Sequence, residues 1–328
     1  MNPMIAPNNA CIQTRQSGLS LIELMISVAI GLVLLLGIST LIVQQSSSRS
    51  ELDKSSRQIE NGRYAMQLLH DDIQHAGFYD GYSPASGVAI SIPDPCLTTG
   101  TLGWNNATPQ VPVAIYGAPG AATDPTPSTC LNNYLPNTAV LVTRRTTTQD
   151  PILTTAAVPT TTYLQVSRCE SEATLFVLGT TGFTLHDKNC VTLAKIRPYM
   201  VRIYYISSCS VCGTDTIPTL KVVEFVGGSQ TIVPLVEGIE NMQFDYGIDS
   251  NNDTTVDSYT ATLNAANAPN VTTVRVNLLA RNNETTAGYV DSKTYDLGSV
   301  AIPAKNDSYK RHVYSQVIRA TNPSGRRE

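Results

Sequence analysis

Leu19 to Val43 is a predominantly apolar run of 25 residues whose only charge is Glu23. Coiled as an α-helix it rises about 37 Å, more than the roughly 30 Å of a bilayer's hydrocarbon core. It is also longer than the apolar stretch of a secretory signal, about 7 to 15 residues. The run therefore imposes a plan on the chain: a membrane helix first, then everything else on one side. Arg15 is the only charge before the run, and by the positive-inside rule it keeps the short N-terminal segment cytoplasmic. An uncleaved signal anchor fits these facts, and so does a signal peptide cut near the serines at 46–48. Neither accounts for Glu23. An acid within an apolar helix is costly and functional by default, and it requires a partner.

At Gln44 the sequence turns polar, but helical periodicity persists. In "QQSSSRSELDKSSRQIENGRYAMQLLHDDIQHAGF", Leu52, Ile59, Met66 and Ile73 recur every seven residues, and Gly62, Leu69 and Ala76 fill the intervening stripe. Gly77 suits a helix C-terminal cap. One helix from Leu19 to Ala76 is expected, transmembrane over 19–43 and amphipathic over 44–76. Its second half is expected to pack on a sheet, because the early stripe positions are serines and a free coiled coil would lack contacts.

The remaining residues, 77–328, read as a β-rich head. A Pro- and Gly-rich region reaches to about Pro136 and predicts long loops crossing a sheet. Strand-like runs follow at 138–144, 162–167, 199–207, 220–226, 241–247, 272–281 and 312–320. Met242, Phe244 and Tyr246 alternate with Gln243 and Asp245, the period of a sheet with one buried face. No long helices separate the strands, which argues against a parallel α/β sheet. The fold class expected is α+β, a long N-terminal helix packed on an antiparallel β-rich head. Charged residues make up 15% of the chain, against roughly 25% in an average soluble domain. Thr, Asn, Ser, Gly and Pro replace them, a mixture suited to an extracytoplasmic domain. The net charge of −4 comes with no basic block, so a dedicated nucleic-acid binder is not indicated for the monomer.

Seven cysteines are present. Cys11 precedes the apolar run, and its removal would leave six, which can all pair in an oxidising compartment. Fifteen pairings exist for six cysteines. Local closure favours Cys96–Cys130, Cys169–Cys190 and Cys209–Cys212. The Cys-Ser-Val-Cys stretch at 209–212 also fits a redox motif or half a zinc site. A turn-like "GTDTIP" follows it, however, where a redox motif needs a helix to lower a thiol pKa.

Other chemistry is sparse. Asp249, Asn251, Asp253 and Asp257 occupy oxygen-ligand positions 1, 3, 5 and 9 of a calcium loop. Thr254 stands where that loop has glycine and Thr260 where it has a bidentate glutamate, so an Asn/Asp-rich turn is the competing reading. His70 and His75 are five apart and lie on different faces of a helix, unlike the i, i+4 pairs of zinc motifs. His186 and His312 are isolated, and there is no Gly-x-Ser-x-Gly and no phosphate loop. No enzyme is expected, and no cofactor apart from calcium at the 249–257 loop.

Gly18-Leu19-Ser20-Leu21-Ile22-Glu23 resembles the type IV prepilin processing site: a glycine, an apolar residue, three small or apolar residues, then glutamate opening a long apolar helix. Leu19 stands where phenylalanine is commonest. The stretch "DDIQHAGFYDGY" at the end of the helix, Tyr246-Gly247-Ile248-Asp249, and the tail "KRHVYSQVIRATN" resemble the PilW family of minor pilins. The likeness is close over 15–82, patchy over 239–320 and missing from the stretch at about 85–235. The resemblance implies a leader, residues 1–18, cut off between Gly18 and Leu19 by a prepilin peptidase, which then methylates the Leu19 amine. It further implies that Glu23 neutralises that amine, its own or a neighbour's. The partners implied are other minor pilins, the major pilin and the inner-membrane assembly platform. The protein would rest in the inner membrane with a periplasmic head, then join a pilus used for twitching, adhesion or DNA uptake. A minor pseudopilin of a type II secretion system shares the processing site, and a membrane-anchored periplasmic enzyme is a third reading.

Overall fold

In the computed structural model, the apolar run and the polar stretch after it form one continuous helix, α1 (Leu21–His75). The structure describes residues 18, 20–84, 88–226 and 228–325. The chain divides into two compact units, Met1–Asp53 and Lys54–Glu328. In the first, α1 carries large apolar side chains outward: Leu24, Ile26, Leu32 and Leu36 are all more than half exposed. Among the described residues α1 is the one helix long and apolar enough to cross a membrane.

In the second unit α1 buries one face: Gln58, Gly62, Ala65, Met66, Leu69, Asp72 and Ile73. Of the stripe read from the sequence, Gly62, Met66, Leu69, Ile73 and Ala76 are buried, while Leu52 is 69% and Ile59 41% exposed. Gln58, Ala65 and Asp72, again seven apart, complete the buried face in place of those two.

Fifteen strands follow in chain order. They are β1 (Ala89–Ser91), β2 (Gln110–Pro112), β3 (Ile115–Ala118), β4 (Val140–Thr146) and β5 (Tyr163–Val166), then β6 (Phe176–Gly179), β7 (Ile196–Ser207), β8 (Thr219–Val226), β9 (Ser229–Glu237) and β10 (Ile239–Ile248). The last are β11 (Ser258–Thr260), β12 (Val271–Arg281), β13 (Tyr295–Leu297), β14 (Val300–Ile302) and β15 (Arg311–Arg319), before a short helix α2 (Thr321–Gly325). They build a seven-stranded sheet centred on β4 and β7 and a four-stranded sheet ordered β11-β10-β12-β15, both antiparallel. The long β7 pairs with β4 on one side and with β5 and then β8 along the other. A small β1–β2 pair is parallel. β8 and β9 pair antiparallel, with Val226 opposite Ser229 at the closed end. β9 itself carries Pro234, and an edge strand tolerates the missing N–H.

The main core joins the inner faces of both sheets to α1. Ala65, Leu69 and Ile73 meet Leu141, Ile206 and Val222 of one sheet and Phe244, Val276 and Leu278 of the other. The expectation of one buried face needs correction, because both sheets are covered on both sides. Tyr79, Trp104, Val111 and Leu131, from the Pro- and Gly-rich region, form a second core on Val142, Tyr199, Ile203 and Phe225. Trp104 packs edge-on against Tyr79 at 4.8 Å and Phe176 at 4.9 Å. The β13–β14 hairpin covers the outer side of the four-stranded sheet through Tyr295, Leu297 and Ile302. Gln243 and Asp245 are thus buried at 5% and 4% exposure, despite their polar alternation. They are satisfied there: Gln243 donates to the Asn137 carbonyl at 3.0 Å, and Ser299 N–H donates to Asp245 at 3.3 Å.

Two glycines fix where α1 meets the head. Gly77 adopts φ +76° and ends the helix, and its N–H donates across to the Arg144 carbonyl on β4 at 2.8 Å. The helix's last carbonyls are met by Asn322, whose amide donates to Ala76 O at 3.1 Å. Gly62 allows the close approach of β15, since a Cβ there would lie 2.2 Å from the Tyr314 ring. Gly62→Leu is therefore expected to lower the head's stability by about 1 to 3 kcal/mol, the usual cost of overpacking. Urea denaturation checks it, and an unchanged midpoint would mean that Tyr314 swings away freely.

Candidate functional site

The first functional feature is the start of α1. Ser20 and Glu23 form a capping box. Ser20 Oγ accepts the Ile22 N–H at 3.3 Å, and Glu23 Oε2 accepts the Ser20 N–H at 3.1 Å. The two side chains satisfy donors that a helix start otherwise leaves open. This role went unread in the sequence, although Ser-x-x-Glu before an apolar run is its signature. Gly18 is exposed, and a Cβ placed on it would meet no atom within 4 Å. Packing within the described residues gives no reason for glycine at that position. Leu19, the residue expected to be methylated, lies outside the described residues, as do Cys11, Arg15 and all of the leader but Gly18. A Cβ on Gly31 or Gly37 likewise meets nothing within 4 Å.

The second feature is the carboxylate that locks the far end of the helix into the head. Asp72 is 3% exposed and surrounded by donors. It accepts Thr143 Oγ1 at 2.6 Å, Arg145 Nε at 2.9 Å, Arg202 Nη1 at 3.0 Å and Tyr204 OH at 3.1 Å. Burial pushes its carboxyl upward, but the guanidiniums of Arg202 and Arg145 outweigh burial, and the net direction is downward. Arg202 is also held by Glu224 on β8 at 2.7 Å. Asp72 lies in the last turn of α1, in the stretch "DDIQHAGFYDGY". Its partners, on β4 and β7, were not readable from spacing.

The tail has a matching anchor. Arg311 is buried and bonds Glu240 at 2.5 Å, Asp307 at 2.6 Å and Asp291 at 2.8 Å. Asp291 is in turn held by Tyr295 OH at 2.9 Å. The tail stretch thus contributes Arg311, Tyr314 against Gly62, and Asn322 at the helix end.

The four residues read as calcium ligands share one loop but serve as local acceptors. Asp249, fully buried, accepts the N–H groups of Asn252 at 2.7 Å and Thr254 at 3.2 Å. Asp253 accepts the Thr255 N–H at 2.9 Å and the Asn251 amide at 3.0 Å, and Asp257 accepts the Ser250 N–H at 2.8 Å. The hydroxyls of Thr255 and Ser250, which also donate to these carboxylates, act first, and the N–H bonds second, to hold Asp253 and Asp257 below the ordinary carboxylate range. Thr254 has φ +74°, a backbone region that glycine adopts more easily. Among the described residues no three His, Cys, Asp or Glu side chains are grouped to hold a metal. The histidines are dispersed: His75 contacts the Asp71 carbonyl at 2.6 Å, His186 contacts Glu172 at 2.7 Å, and His312 stacks edge-on against Tyr314. The six head cysteines form three local disulfides, Cys96–Cys130, Cys169–Cys190 and Cys209–Cys212.

Two family models match the chain. One, described as Type IV Pilus-assembly protein W, covers residues 203–322, and the other, the Prokaryotic N-terminal methylation motif, covers 13–39. The first begins inside the stretch 85–235, so the end of β7, β8 and most of β9 belong to the matched part. No curated protein matches the chain. Among solved structures, the Type IV-like pilin TTHA1219 from Thermus thermophilus aligns with a TM-score of 0.32 at 11% identity, over 64% of this chain and 84% of that one.

Proposed function

We propose that this chain, a type IV minor pilin of the PilW family, primes or caps pilus assembly from a place near the fibre tip. It is anchored in the membrane by its N-terminal helix with the head in the periplasm, and later enters the pilus. The observation that carries the reading is the junction at 18–23. A glycine with no packing contact among the described residues precedes an apolar helix that opens on an acid. A prepilin peptidase cuts between Gly18 and Leu19 and methylates the new Leu19 amine. That amine is a cation at the head of an apolar helix, and it requires a counter-charge. Glu23 already turns back to the Ser20 N–H, one residue from the new terminus. It neutralises the Leu19 amine of its own chain or of the neighbouring subunit, which sets the register on entry to the fibre.

The role of this head is structural. The leader is 1–18, the membrane half of the helix 19–43, the amphipathic half 44–76 and the head 77–328. A head of that size, with long loops between residue 85 and β7, would pack poorly along a repeating shaft, which supports a place near the tip. Its partners are the major pilin, other minor pilins and the inner-membrane platform. The pilus so primed would serve twitching, adhesion or DNA uptake.

Mass spectrometry of the membrane-bound protein tests this directly. The expected N-terminal peptide begins at N-methylated Leu19. An intact Met1, or a terminus near Ser46 to Ser48, would sink the filament reading.

A further inference from the structure

We infer that the Cys209–Cys212 disulfide is a thiol-exchange site, opened and reclosed by a dithiol protein, because the sheet beneath it places Lys221 and Ser207 to receive the sulfurs as thiolates. The inference does not rest on the pilus reading.

Cys209 lies just past β7 and is 6% exposed, while Cys212 is exposed next to Val211, itself 62% exposed. Lys221 stands on β8 opposite Tyr205 and is 7% exposed. Its Nζ lies 3.5 Å from Cys212 Sγ, its one hydrogen-bond acceptor among the described residues. A disulfide sulfur is a weak acceptor for a buried ammonium, whereas a thiolate at the same position is a full counter-charge. Ser207 Oγ sits 3.8 Å from Cys209 Sγ and 3.9 Å from Cys212 Sγ, a further donor between the two sulfurs.

The nearby anions are already engaged. Asp215 accepts the N–H groups of Ser210, Val211 and Ile217, and Glu237 accepts the Ser210 hydroxyl. Burial lowers the Lys221 ammonium from the ordinary lysine range, and the Asp215 carboxylate opposes that. The other two disulfides lack such a cation among the described residues. The Cys169–Cys190 sulfurs meet the Ser171 hydroxyl at 3.1 Å and 3.8 Å. The turn after Cys212 supplies no helix N-terminus, and Lys221 takes that place from the neighbouring strand.

The exchange balances as follows. One thiolate of an exported protein dithiol attacks the exposed Cys212 Sγ, and the Cys209–Cys212 bond breaks. Its electron pair leaves on the Cys209 sulfur, which takes a proton from water. The reductant's second thiolate then attacks its own sulfur in the mixed disulfide, and Cys212 departs as a thiolate beside Lys221. Two electrons pass to the pair, and the reductant is left as a disulfide. Stabilising the Cys212 thiolate favours the reduced form and makes this bond the easiest of the three to open.

The test equilibrates the protein as isolated from membranes, in detergent, with oxidised and reduced dithiothreitol, alkylates it and reads each cysteine of the three pairs by mass spectrometry. Cys209–Cys212 is expected to open at a reduced-to-oxidised ratio at least about tenfold lower than the other two, equal to about 30 mV. In the reduced protein, Cys212 alkylation should titrate below the ordinary thiol value of about 8.5. Lys221→Met should move both readings back, and Lys221→Arg should keep them. Three bonds opening together, an ordinary Cys212 titration, or a Lys221→Met protein indistinguishable from the parent would each overturn the inference. Should Lys221→Met fail to fold, the parent's titration and Lys221→Arg still decide.

Discussion

Asp72→Ala is expected to destabilise the head by about 3 to 5 kcal/mol, the cost of removing one member of a buried charge network. The loss is large because the partners stay. Arg202 keeps Glu224, but Arg145 retains only the Thr146 carbonyl, at 3.2 Å. The hydroxyls of Thr143 and Tyr204 lose an acceptor in a closed site. Thermal unfolding followed by near-UV circular dichroism should show a fall in midpoint on the order of 10 °C. Asp72→Asn separates charge from shape through its pH dependence. The folded carboxyl is held below its ordinary value. Its stabilisation is therefore fully present above the unfolded value of about 3.9 and is lost as pH falls through the folded value. The gap between parent and Asp72→Asn should be constant from pH 5 to 7 and should close in strong acid. A gap that persists unchanged at pH 2 would mean that packing, not charge, holds the helix end.

Glu23→Gln is expected to abolish recovery of the protein in sheared pili while leaving cleavage at Gly18 intact. The amide oxygen can still accept the Ser20 N–H, so the capping box survives. What disappears is the charge that the proposed pairing with the Leu19 amine requires. Glu23→Val removes both, and capping losses run to about 1 kcal/mol, too little to empty a fibre. Immunoblots of membranes and of sheared pili read the two fractions. If Glu23→Gln enters pili normally, the ion-pair role falls.

Much of this protein lies in short-range pattern. The membrane helix is legible because length and hydrophobicity act through a neighbouring solvent and need no partner from the chain. The junction at 18–23 is legible because it is a local string, inside the N-terminal methylation motif matched over 13–39. The Ser20–Glu23 box is equally local, a Ser-x-x-Glu string before an apolar run. Seven of the strands between 138 and 320 are legible as strand-like runs, though β9 and the short β6, β11, β13 and β14 are not, and the three disulfides join consecutive cysteines.

Other features needed the tertiary structure. Asp72 finds Arg145 and Arg202 from 73 and 130 residues away. Gly62 is required by Tyr314, and Lys221 meets Cys212 only through the β7–β8 register. The polar face of β10 is buried because a hairpin near residue 300 folds over it. The sequence by itself determined the anchor, the N-terminal methylation motif, seven of the fifteen strands and the pairing of consecutive cysteines, since each depends on a short string, a local pattern or the solvent around it. Only the tertiary structure decided which faces are buried and which charges meet, because strand register brings together side chains that no local periodicity links.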